Sequence, residues 1–152
     1  MGRSITSTTA RRYGRTLGSI EDETRAEEQA PIAIHPETTS LARAAAATID
    51  ARKGIDIALL DMSELLVITD IFVLATGTSR RHVRTLAEEV VRALRGTGRS
   101  PLRKEGADDG QWVLLDYGDV VVHVFDPDTR SHYDLERLWG SADRLEYERV
   151  AP

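Results

Sequence analysis

The sequence predicts a single α/β (α+β) domain, a mixed β-sheet of about five strands with helices packed on it. Three observations carry that expectation. Residues 71–75 (IFVLA) form an apolar run of the kind that fills a buried strand. Thr76-Gly77-Thr78 breaks the run, and Val83, Leu86, Ala87, Val90, Val91 and Leu94 then share one helical face by their spacing. Residues 111–116 (QWVLLD) and 120–125 (VVVHVF) are two further strand patterns joined by Tyr117-Gly118, which reads as a β-hairpin.

In chain order, residues 1–36 have no core-forming period. They are Ser/Thr/Arg/Gly-rich to Ile20 and strongly acidic over residues 21–28, so they read as a disordered or loosely attached extension. The acid-poor start is transit-peptide-like in composition, and Met1-Gly2 with Thr6 fits the permissive myristoylation pattern; a floppy tail is the simpler reading. The folded domain is expected over residues 37–142. Thr38 or Thr39 can cap a first helix carrying Leu41, Ala44, Ala45, Thr48 and Ile49, with Gly54 past its end. Residues 55–62 (IDIALLDM) read as the first strand, residues 71–75 as the second, and Ser79 as the N-cap of the long helix that Gly96 closes. A short edge strand near residues 102–105 precedes the hairpin. Pro127 stops the last strand, and residues 133–139 (YDLERLW) read as a short helix capped by Asp134. Residues 143–152 are left as a tail.

Composition narrows the function. The 152 residues carry a formal charge of −5 and no cysteine, which excludes disulfides, thiol nucleophiles and thiolate metal sites and is compatible with a reducing cytosol. No run approaches the 18 apolar residues of a membrane span. Lys53 and Lys104 are the only lysines among 20 basic residues, a coding bias more than a functional signal. Charge is segregated along the chain. Residues 79–104 hold eight basic side chains against Glu88 and Glu89, a balance of +6. Residues 105–152 hold twelve acidic side chains against four arginines, a balance of −8. Arg81, Arg84, Glu88, Arg92 and Arg95 lie opposite the apolar face of the long helix. They read as a solvated face with i,i+4 pairs or, in the alternative, as a contact for RNA phosphates.

Candidate chemistry is sparse. His35, His82, His123 and His132 form neither HxxxH nor HExxH, and no metal site is expected. His123 alternates with Val122 and Val124, so it faces the other side of the sheet and reads as a structural or interface residue. Gly77-Thr78-Ser79 between strand and helix could hold an anion, as nucleotidyltransferases do, but it is neither GxGxxG nor GxxxxGK[ST]. That chemistry also needs carboxylates for paired Mg²⁺ on neighbouring strands. Asp126-Pro127-Asp128 matches as a string, but Pro127 forbids regular strand geometry, and Asp116 and Asp119 are explained by a turn. Five of the eight aromatics, Trp112, Tyr117, Phe125, Tyr133 and Trp139, fall within residues 112–139. Ringed by charge, they suit either core or a protein-binding hot spot.

The blocks ITDIFVLATGTSRRHV, EGADDGQWVLLDYGDVVVHVF and YDLERLWG, with the long helix between the first two, closely resemble the ribosomal silencing factor family, RsfS or Iojap. The resemblance spans about residues 39–140. It implies a nucleotidyltransferase-like fold without the activity, so no enzyme and no cofactor, in a homodimer of the bacterial cytoplasm; an organellar homologue is the lesser alternative. The implied partner is the large ribosomal subunit, reached through its ribosomal protein L fourteen, with no DNA or membrane partner and only minor direct contact with ribosomal RNA. The implied action is steric, blocking association with the small subunit and so repressing translation under nutrient limitation. Carried over by matching position, Trp112, Val113, Asp116, Tyr133 and Leu135 are the expected contacts to the ribosomal protein. Asp70, Gly77, Thr78 and Ser79 match the family's strongest block and are assigned to the fold and the dimer.

Overall fold

The computed structural model describes residues 33–147. The extension expected over residues 1–36 therefore lies outside the described residues up to position 32, as does the tail from residue 148. The elements are α1 (Pro36–Ala51), β1 (Ile55–Asp61), β2 (Ile71–Thr76), α2 (Arg80–Arg95), β3 (Arg103–Glu105), β4 (Trp112–Asp116), β5 (Val120–Phe125), α3 (Pro127–Tyr133), α4 (Leu135–Leu138) and β6 (Asp143–Leu145). They form one six-stranded mixed sheet in the order β3-β4-β5-β2-β1-β6. The central pair, β2 and β5, is parallel, and every residue of both is buried. That explains their unbroken apolar runs, since strands covered on both faces cannot afford polar alternation.

The sheet carries two cores. On one face α1 and α2 cover Leu59, Val73, Ala75, Val113, Leu115, Val122 and Val124. The predicted stripe of α2, Val83 to Leu94, is buried against them. Each fully buried Val or Leu there contributes about 1.5–3 kcal/mol over its exposed state. The other face carries Leu60, Phe72, Leu74, Trp112, Leu114, Val121 and Phe125, covered by Met62, Leu66, Leu135 and Trp139 from the loop after β1 and from the C-terminal turns.

Four local expectations are corrected. The first helix begins at Pro36, with the His35 side chain accepting from the Glu37 amide as N-cap. Proline at the first helical position lacks only an N–H that would have been unpaired anyway. Thr38 is released from capping and donates instead to Asp119, 2.8 Å away. Second, Pro127 opens a helix as well as ending a strand: α3 is capped by Asp126, whose carboxylate accepts from the Thr129 amide at 2.8 Å. Third, the helix expected over residues 133–139 is only Leu135–Leu138; Asp134 stands at its N-cap position, as expected, but in a left-handed conformation (φ 39°) without a side-chain capping bond, and it separates α3 from α4. Fourth, the sheet has six strands, not about five. Asp143–Leu145, expected in the tail, pairs antiparallel with β1 as β6. Three residues of mixed polarity give no period to read, so this strand exists through its pairing alone.

A candidate partner-binding face

The sheet face opposite the long helices gathers the aromatic residues. Trp112 is fully buried, its ring 4.9 Å from Phe125 and 5.1 Å from Tyr133 between centroids, and its indole N–H donates to Nδ1 of His123 at 3.0 Å. His123 is itself fully buried and meets Phe72 edge-on at 4.7 Å. Trp139 is buried against Phe72 at 6.3 Å. His123 is thus the hydrogen-bonded structural residue that the alternation in β5 suggested. Tyr133 rests half-buried on Trp112, and His132 packs edge-on against it from the solvent side. Leu138, one turn later, keeps 44 % of its surface exposed. The result is a small aromatic and apolar shelf over a rigid aromatic core.

The five expected contact residues do not converge on one surface. Trp112, Val113 and Leu135 are core side chains, with Val113 facing the long helices and the other two facing away from them. Only Tyr133 reaches the shelf. Asp116 stands at the other end of β4, about 13 Å away by strand rise. There it accepts from the Gly118 amide at 2.8 Å and faces Arg103. Sequence reasoning had Leu138 among the apolar and aromatic cluster of the helix expected over residues 133–139 but passed over His132, which packs on Tyr133.

The motif residues are accounted for by folding. A Cβ on Gly77 would lie 2.8 Å from both the backbone nitrogen and Cγ2 of Val83, so only glycine lets α2 start this close to β2. Ser79 caps α2 by accepting from the His82 amide at 3.0 Å. Nδ1 of His82 accepts from the Thr78 amide at 2.9 Å, which leaves Nε2 to donate to the Arg52 carbonyl. The Gly77 amide bonds to the Phe125 carbonyl. The Gly77 and Thr78 amides are therefore engaged by the fold itself.

At the same end of the sheet a cavity of about 580 Å³ opens beside Asp50, Asp56, Arg130, Glu136, Arg144 and Tyr147. Its cationic groups are committed. Arg130 donates to Thr76 at 3.0 Å and grips Glu136 at 2.7 Å, and Arg144 holds the other carboxylate oxygen at 2.9 Å. This ladder ties α3, α4 and β6 to the end of β2. Arg130 and Glu136 are six apart across a helix break, a spacing that no helical rule flags.

At the opposite end, Asp119 receives Thr38 at 2.8 Å and Arg99 at 2.8 Å. Burial alone would raise its pKa, but these two hydrogen bonds and the Arg99 charge outweigh it and hold the carboxyl below the ordinary range. Asp70 is shifted the other way, by burial first and then by Asp119 and Asp61. Among the described residues no three His, Asp or Glu side chains gather as metal ligands, and no helix is long and apolar enough to cross a membrane.

Comparison with known proteins agrees with this architecture. A family described as ribosomal silencing factor during starvation matches residues 35–152. The chain is 42 % identical to ribosomal silencing factor RsfS of Bacillus subtilis over 103 residues, 68 % of this chain and 87 % of that protein. Mitochondrial assembly of ribosomal large subunit protein 1 of mouse is 33 % identical over 87 residues, covering 55 % of this chain and 38 % of the mouse protein. A crystal structure of a protein from Chromobacterium violaceum superposes with a TM-score of 0.67 at 38 % identity, covering 75 % of this chain and 93 % of that one.

Proposed function

Because the chain belongs to the ribosomal silencing factor (RsfS) family, we propose that it represses translation by binding ribosomal protein L fourteen on the large subunit and blocking association with the small subunit. The family match across nearly all the described residues is the observation that carries this reading. The action is steric and requires no catalysis. It serves conditions of nutrient limitation, in keeping with the starvation in the family's description, and the site of action is the bacterial cytoplasm.

The contact is built on the shelf of Tyr133, His132 and Leu138. A half-buried tyrosine backed by a buried tryptophan loses little side-chain entropy on binding, as hot-spot residues do. The surrounding half of the chain is the −8 half, which favours a basic partner such as a ribosomal protein. Trp112 and Leu135 support the shelf from beneath, whereas Val113 lies on the other face of the sheet and Asp116 at the far end of β4. A homodimer belongs to the same reading. It uses the free edge of β3 and the exposed Leu102, Val67 and Ile68 around the hairpin tip, with Asp70 beside them.

The test is subunit joining. Large subunits are preincubated with the protein, small subunits are added, and the mixture is sedimented alongside Tyr133→Ala. Wild type should hold the subunits apart, and Tyr133→Ala should cost about 2 kcal/mol of binding, roughly thirty-fold in Kd, with its melting temperature kept. A wild type that never sediments with large subunits, or that binds while joining proceeds, defeats the proposal.

A further inference from the structure

The shelf does not use the cationic side of the molecule. On α2, Arg81, Arg92 and Arg95 are exposed, and Arg81 and Arg95 are about 21 Å apart along the axis and on nearly the same face. Lys104 joins them from the sheet edge: it pairs with Leu115, whose side chain lies in the core under α2, so Lys104 projects on the α2 side. Arg103, paired with Asp116, projects to the other side. Among the described residues Arg80, Arg81, Arg95 and Lys104 make no ion pair, whereas Arg92 is held by Glu89 and Arg99 by Asp119.

Arg80, Arg81, Arg95 and Lys104 are exposed, and Glu88 is the carboxylate between Arg81 and Arg95 on that helical face, so the ridge keeps a net positive charge. The concentration of these cationic groups within a chain of net charge −5 suits a polyanionic partner. The type of polyanion follows from what the ridge lacks. The aromatics among the described residues are buried or lie elsewhere, so there is no platform on which single-stranded bases could stack. Phosphate contact without stacking or base readout is how double-helical RNA is held. The ridge and the shelf lie on opposite faces of the sheet, and the start of α2 reaches the end of the sheet where β4 begins. At the N-terminal end of α2, Arg80 and Arg84 crowd Gly110, two residues before the Trp112 on which Tyr133 rests.

We propose that Arg80, Arg81, Arg95 and Lys104 form a second docking surface that binds the phosphate backbone of double-helical RNA, which on the ribosome is ribosomal RNA bordering the ribosomal protein held by the shelf. The location rests on the function proposed above; the RNA-binding surface itself does not. Two separate surfaces of opposite charge fix orientation as well as affinity, since neither contact alone sets the rotation of the protein on its partner.

The experiment compares wild type with Arg81→Gln/Arg95→Gln/Lys104→Gln, after equal melting temperatures have established that both fold. On a 16-base-pair RNA duplex between 50 and 200 mM salt, wild type should bind with a steep salt dependence, and the variant should lose about two to three units of the log–log slope. On large subunits the same loss of slope should appear, together with loss of hydroxyl-radical protection of the RNA backbone beside the bound protein. An unchanged slope on both overturns the proposal, and so does a lost slope on subunits with no backbone protection, which would assign the ridge to an acidic protein. If wild type binds the duplex through the ridge but never binds large subunits, the RNA surface stands and the silencing reading falls. If it binds subunits with a slope indifferent to the ridge, the reverse holds.

Discussion

Trp112→Ala is expected to destabilise the protein rather than to unseat a partner, and the size of the effect follows from the surroundings of the indole. The ring is fully buried among Phe125, His123 and Tyr133, and its N–H donates to Nδ1 of His123. Truncating a buried tryptophan to alanine costs about 3–5 kcal/mol through lost contacts and the cavity left behind. The imidazole nitrogen left without its donor adds a partly overlapping penalty of order 1–3 kcal/mol. Over the 115 described residues the unfolding entropy is about 0.24 kcal/mol/K. A loss of about 4 kcal/mol therefore lowers Tm by on the order of 15 °C. Thermal unfolding followed by far-UV circular dichroism reads this directly. Trp112→Phe, which keeps most of the volume and loses the donor, should fall between wild type and Trp112→Ala. A Trp112→Ala protein that melts within about 3 °C of wild type while failing to bind large subunits would refute the reasoning, because it would make Trp112 a contact residue.

Gly77→Ala should cost about 1–3 kcal/mol, since the new methyl meets the backbone of Val83 and cannot be relieved by a rotamer change; urea unfolding at pH 7 measures it. Asp119→Asn should destabilise in a pH-dependent way. A carboxylate whose folded pKa lies below its unfolded value stabilises the fold above about pH 4, and that contribution disappears as pH falls through the folded value. The stability gap between wild type and Asp119→Asn should be full at pH 7 and shrink below pH 4, and a gap that widens on acidification would contradict the Arg99 and Thr38 assignment.

Much of the fold was legible because its elements satisfy local rules. The stripe on α2, the Ser79 cap, the β4–β5 hairpin and the buried run of β2 each follow from a period or a cap in the sequence. Two of the misreadings share a cause, which is long-range pairing. Thr38 looked like a cap but serves Asp119, 81 residues away. The strand at 143–145 exists only through its ladder to β1. The site was legible in composition and not in geometry. Four of the five aromatics clustered in residues 112–139 share the face opposite the long helices and Tyr117 lies on the other, but β-strand alternation cannot tell a residue under a surface from one on it. Which of Trp112 and Tyr133 is covered depends on where α3 ends, and that is decided by the left-handed Asp134.

In sheets with parallel strands, ligands usually enter the crevice beyond the carboxyl ends of those strands. Here that crevice lies beyond Thr76 and Phe125, beside the cavity that Arg130 and Glu136 line, and several of the chain's own polar groups are engaged with one another there. The Gly77 amide goes to Phe125, the Thr78 amide to His82, and the Asp126 carboxylate to the start of α3. Arg130 binds Thr76 and Glu136. The Arg130, Glu136 and Arg144 bonds fix α3, α4 and β6 against the sheet. The consequence is a firm mount for Tyr133 and Leu138. A shelf of that size gains affinity by being held still, because a mobile tyrosine would surrender on ordering much of what its contact area returns.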